Sequence, residues 1–210
     1  MFIKQSVLER LMKSAFKGAG LTVGHPVEVD EHGEVIKEGY YVAGMYWTFW
    51  VKADHITKEM KAAIIRLCGD LPEPGEVFTA YKDGGCQYEI VDFQQKEVYD
   101  LQEIFEKATI EFRKSKLMIQ ENGHHYRLLQ ADNDTNRIVA LNEVFLDLIA
   151  ESAIEEDKGE LPPEGPMAIC STGKLLMWGN NVCYLRACAY NTDDMETEEY
   201  LKYLENRRII

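Results

Sequence analysis

The sequence predicts an α+β fold built on antiparallel sheet, and three observations lead there. Helix-start signals recur at Ser6, Thr57, Asp100 and Asn142, spaced 51, 43 and 42 residues apart. That regularity suggests one strand-helix-strands unit used four times, with insertions in the first copy. Each start follows a short extended segment and precedes alternating, strand-like sequence. Turn strings such as Asp83-Gly84-Gly85 and Asn122-Gly123 then join neighbouring strands as hairpins, which are antiparallel connections. Pairing the units gives two domains, residues 1–95 and 96–190, each of two strand-helix-strands units, with the boundary near Gln94 to Glu97 and an acidic helical tail over 191–210.

The first helix has an apolar stripe of Val7, Leu8, Leu11, Met12, Ala15 and Phe16, a capping box of Ser6 and Glu9, and Gly18 as its stop. Its opposite face carries Arg10, Lys13, Ser14 and Lys17. Residues 18–39 read as loop with short strands, including a hairpin turning at Glu31-His32-Gly33. The β-branched and aromatic run from Tyr40 to Lys52 reads as one strand with a bulge at Gly44. Neither of its faces is polar, so it is expected to be buried on both sides.

The second helix runs from Thr57 to about Cys68 with Gly69 as its stop and buries Met60, Ala63, Ile64 and Leu67. A hairpin follows around Asp83-Gly84-Gly85. The third helix starts at Asp100, with Glu103 as capping partner, and offers Leu101, Ile104, Phe105 and Ala108 to the core. Strands follow at Lys116 to Gln120, Tyr126 to Ala131 and Arg137 to Leu141. Asn142 caps a fourth helix over NEVFLDLIAESAI; strands at Met167 to Cys170, Lys174 to Met177 and Val182 to Tyr190 complete the set.

Composition bounds the function. The chain has 210 residues, is 46% hydrophobic and 28% charged, and can bury a core as one large domain or two smaller ones. The apolar run from Tyr40 to Val51 is too short for the roughly 20 residues of a membrane helix. Glu9, Arg10 and Lys13 interrupt any apolar signal core at the N-terminus, so a cytoplasmic protein without a membrane partner is expected. Five cysteines without a CxxC pair indicate neither a disulfide framework nor a zinc site, and reduced, mostly buried thiols are expected. A net charge of -13 argues against a simple nucleic-acid coat but leaves room for a local basic face. Charge is uneven: residues 1–70 are nearly balanced, whereas acidic side chains dominate the third and fourth helices and the tail.

Four strand-helix-strands units paired into two domains resemble the sliding DNA clamps, the ring-shaped processivity factors of replicative polymerases. The string LLQADNDTNRIVAL, with Ala131, Asp132, Arg137 and Ile138, is similar to an Ala-Thr-Asp-Gly-x-Arg-Leu stretch of bacterial clamp domains. NEVFLDLI is similar to the helix that follows there, and GPMAI with NVCYLRACAY resembles that family's domain ending. The resemblance implies a non-enzymatic protein associated with DNA or replication proteins, whose helices face the phosphate backbone. Two domains would need three subunits for a six-domain ring, whereas the local strings look bacterial, and bacterial clamps usually have three domains.

Under that implication the DNA-contacting residues are Arg10, Lys13, Lys17, Lys58, Lys61 and Arg66 of the first two helices. Helices three and four fit less well, because Glu103, Glu106, Glu143, Asp147 and Glu151 would repel phosphate. The alternative is a regulatory or protein-interaction protein of an accessory genetic element that turns an acidic surface to a basic partner and does not touch DNA. The acidic tail, lying just after the last strand, is expected to cover that strand's edge and to leave a monomer or dimer instead of a closed ring.

Other constellations point to no chemistry. His124 and His125, adjacent in a strand, project to opposite faces and so do not share one metal ion without a bulge. Gly84-Gly85 and Gly18-x-Gly20 lack the remaining residues of a phosphate loop or dinucleotide fingerprint, so no cofactor is expected. The aromatic residues from Tyr40 to Trp50 read as core in preference to a platform for stacking bases.

Overall fold

The computed structural model describes residues 1–89, 100–169, 173–191, 202–204 and 206–210. The elements run α1 (Gln5–Lys17), β1 (Leu21–Gly24), β2 (Val27–Val29), β3 (Val35–Gly44), β4 (Trp47–Lys52), α2 (Lys58–Cys68), β5 (Val77–Tyr81) and β6 (Gly85–Glu89). They continue with α3 (Leu101–Glu106), β7 (Ile110–Glu121), β8 (His124–Ala131), β9 (Asp134–Asn142), α4 (Glu143–Leu148), β10 (Glu164–Ala168), β11 (Leu175–Gly179), β12 (Cys183–Cys188) and β13 (Tyr190–Asn191). The class is mixed α+β, as the sequence predicts.

The strands line up in one sheet in the order β13-β9-β8-β7-β10-β11-β12-β4-β3-β1-β5-β6, with β2 added on β3. The β3–β4, β5–β6, β7–β8 and β8–β9 neighbours are sequential hairpins. The join between the halves is non-local: β4 pairs with β12 in antiparallel register from Trp47↔Ala187 to Val51↔Cys183. The expected boundary at Gln94 to Glu97 lies outside the described residues. On either side of it one hydrophobic cluster draws side chains from both expected domains, from Phe2 and Leu8 to Trp178 and Leu185.

The centre of the sheet is covered on both faces, and the alternation of side chains shows it directly. Tyr40, Val42, Phe49, Val51, Leu176, Trp178, Cys183 and Leu185 point into the core shared with α1, α2 and α4. Tyr41, Ala43, Trp50, Met177 and Tyr184 point the other way and pack on Leu101 of α3. The expectation that Tyr40 to Lys52 is buried on both sides holds. It is two strands instead of one, because the chain reverses at Met45-Tyr46 and pairs Gly44 with Trp47. A Cβ at Gly44 would lie 2.6 Å from the Trp47 indole nitrogen, so the glycine serves close packing at a hairpin end and not a bulge.

Further expectations are corrected. The first helix begins at Gln5 with Lys4 as N-cap and no side-chain cap, so Ser6 lies inside the helix and the Ser6–Glu9 box does not form. Tertiary pairing sets that start: Lys4 donates to the Leu148 carbonyl at 2.8 Å, Ala150 donates to the Phe2 carbonyl at 2.7 Å, and Ile3 bridges Ile149. The same pairing draws Ile149 into an extended conformation and ends the fourth helix at Leu148, short of the predicted run.

Of the helices, α1, α2 and α4 cover one side of the sheet, and α3 covers the other. Finally, the last long strand is not an edge. β12 lies between β11 and β4, paired with both in antiparallel register. The end of the chain covers a face instead. Leu204 and Ile209 pack against Tyr126, Leu128 and Ile138 on the side opposite α4, while the main chain at Arg207 and Ile209 bonds the buried Gln130 side chain at 2.7 and 3.0 Å. The predicted helix of the tail falls mostly outside the described residues.

Local signals elsewhere hold. Thr57 Oγ1 accepts from Met60 N–H at 3.1 Å, Asp100 Oδ1 from Glu103 N–H at 2.9 Å, and Asn142 Oδ1 from Val144 N–H at 3.1 Å. Gly69 closes α2 in the left-handed region at φ 93. Asn122 and Gly123 both take positive φ between β7 and β8, as their turn type requires.

Candidate nucleic-acid interface

The apolar stripes of α1 and α2 fix where their charged residues go. Val7, Leu8 and Met12 of α1 and Met60, Ala63 and Ile64 of α2 are buried, which leaves Arg10, Lys13, Lys17, Lys58 and Arg66 exposed on the outer side of the same helical layer. Arg10, Lys13 and Lys17, at i, i+3 and i+7, form one row along α1. Across the two helices six cations stand against Glu9 and Glu59 alone, in a chain whose net charge is -13.

The six are not equivalent. Glu9 lies 3.4 Å from Lys13 Nζ and 3.2 Å from Arg66 Nη2, so two of the cations share one carboxylate. Lys61 is partly buried, with its Nζ 5.4 Å from the Tyr40 ring centroid. Tyr40 in turn stacks on His25 at 4.3 Å. Arg10, Lys17 and Lys58 have no carboxylate partner among the described residues. Lys61 is therefore a supporting member, and the other five form the accessible row.

Of the two acidic helices, only α4 shares the face of that row. With α3 on the opposite face, Glu103 and Glu106 are removed from it. On α4, Glu143 is held bidentately by Arg127, at 3.1 and 2.8 Å, which raises the guanidinium pKa through that hydrogen bond and compensates the carboxylate charge locally. Asp147 of α4 and Glu151 just beyond it stay exposed.

The opposite face holds a feature with no signal in the sequence. A cleft of about 800 Å³ opens between the β2–β3 hairpin, the end of β4 and α3. Its walls carry Glu28, Glu38, Asp54, Asp100, Glu103 and Glu106 against Lys37 and Lys52, with Trp50 at its floor. Those residues are scattered from position 28 to 106, so only the tertiary pairing of β4 with β12, which seats α3 beside Trp50, assembles them.

The remaining candidates stay structural. Burial pushes the Cys183 thiol up to about 12 and raises that of Cys188, which keeps both protonated. Cys68, Cys183 and Cys188 are not joined in disulfides. Among the described residues no group of three or more His, Cys, Asp and Glu is placed to hold a metal ion, and no helix is long and apolar enough to cross a membrane. Comparisons of the chain with protein-family models, with curated proteins and with solved structures give no match.

Proposed function

We propose that this is a non-enzymatic, clamp-like binding protein that holds duplex DNA along the outer side of α1 and α2. The observation that carries the reading is the concentration of six cations against two carboxylates on adjacent helices of an acidic chain. A row of this kind neutralises backbone phosphate without reading sequence. The acidic remainder restricts contact to that row. The interior position of β12 supports a monomer or dimer over a ring closed through that strand.

The experiment is fluorescence anisotropy of a labelled duplex titrated with protein across a salt series. Three to five phosphate contacts give a log-log slope of about -3 to -5. Replacing Arg10, Lys13, Lys17 and Lys58 with Glu should abolish binding. No binding by the unaltered protein at low salt would turn the reading to the second one, a protein-interaction module that does not touch DNA, which the acidic cleft favours.

A further inference from the structure

We propose that the cleft between the β2–β3 hairpin and α3 is a docking site for a lysine- and arginine-rich protein segment that also carries an apolar side chain. The cleft lies on the sheet face opposite the basic row, so the proposal does not depend on DNA binding.

The cleft already holds one ammonium group in the way it would hold another. Lys37 Nζ sits 2.5 Å from Asp100 Oδ1 and 5.4 Å from the centroid of the Trp50 ring, so a carboxylate and an indole face grip the cation together. Asp100 is fixed in place because its Oδ1 also caps α3. With Lys37 satisfied internally, Lys52 is the other cation of the lining, which also carries Asp54, Glu106, Glu38 bound to His25 at 2.8 Å and Glu103 bound to Lys107 at 2.7 Å. A hydrogen bond from His55 at 2.6 Å holds the Asp54 carboxyl below its usual range, so it stays ionised.

The rim supplies the apolar half of the recognition. Ile36 and Val35 are 61% and 56% exposed, and Val29, paired across the hairpin from Val35, is 53% exposed. Three aliphatic side chains held out on a two-stranded extension beside an acidic cleft match an amphipathic basic segment. The carboxylates are spread along two walls and do not converge as a metal site would. A volume of about 800 Å³ accommodates several side chains of such a segment.

The test uses a fluorescein-labelled oligolysine peptide with two central leucines, titrated into the full chain. Saturable binding is expected, weakened roughly tenfold by the double variant Glu103→Gln/Glu106→Gln and severalfold by Ile36→Ser. All three positions are on the surface, and an unchanged urea midpoint shows that the fold is kept. The variant Lys13→Glu/Lys58→Glu on the other face should bind the peptide unchanged, even where it loses DNA. Absence of saturable binding at low salt, or equal binding by the Gln variant, would overturn the proposal. So would spermine binding as tightly as the peptide, or concentration-dependent self-association that the Gln variant abolishes, which would assign the cleft to a second copy of the chain.

Discussion

Glu9 on α1 and Arg66 on α2 are joined by a 3.2 Å contact between Oε2 and Nη2, and the same carboxylate oxygen lies 3.4 Å from Lys13 Nζ. This pair links the two helices and at the same time masks part of the basic row. Arg66 is largely exposed, so the bridge contributes only about 0.2–1 kcal/mol.

Glu9→Gln should therefore leave stability nearly unchanged while strengthening DNA binding at low salt several-fold. Its salt dependence should steepen by about one unit of log-log slope for each cation released. Anisotropy titrations of the two proteins side by side check this, and equal affinities would show that the α1–α2 row does not meet phosphate.

The cap on α2 can be weighed alone. Thr57 Oγ1 satisfies the Met60 amide at 3.1 Å, and Thr57→Ala should cost about 1 kcal/mol in urea unfolding. Thr57→Ser retains the oxygen and should recover most of it.

Gly39 and Gly33 make a contrasting pair. A Cβ at Gly39 would lie 2.5 Å from two ring carbons of the buried Trp50 and 2.6 Å from the Val51 carbonyl, whereas Gly33, at φ 81, has nothing within 4 Å. Gly39→Ala should cost about 1–3 kcal/mol or more through overpacking. Gly33→Asn should be close to neutral, because asparagine tolerates the left-handed region. Similar urea midpoints for the two variants would contradict the packing at Trp50.

Tyrosine ionisation gives a pH test. Burial, followed by the neighbouring Tyr190, pushes Tyr126 up to about 12; burial, followed by Glu106, does the same for Tyr184. Both should titrate after the exposed tyrosines in an alkaline absorbance titration. Because the folded chain keeps protons that the unfolded chain releases above about 10, stability should fall as pH rises from about 10 towards 12. Tyr126→Phe should lessen that alkaline loss in urea unfolding.

What the sequence determined by itself is local. The caps at Thr57, Asp100 and Asn142 need only an amide two or three residues away, and the Asn122-Gly123 turn needs only its own backbone angles. The run from Trp47 to Val51, apolar on both faces but for Thr48, shows that the strand is buried on both faces. The cations of α1 and α2 could be named from their spacing, since a helix that buries one stripe must expose the other.

The tertiary structure decided what those local features meet. Periodicity marks a face as apolar without choosing its partner, so α3 could be placed in a helical layer by sequence yet packs on Trp50 and Tyr184 across the sheet from the others. The pairing of Val51 with Cys183 spans most of the chain. Backbone hydrogen bonds are alike for every residue type, so nothing in either segment names the other. That one pairing makes β12 an interior strand and puts α3 beside the β2–β3 hairpin. The acidic cleft exists because of it, whereas the basic row follows from two helices alone.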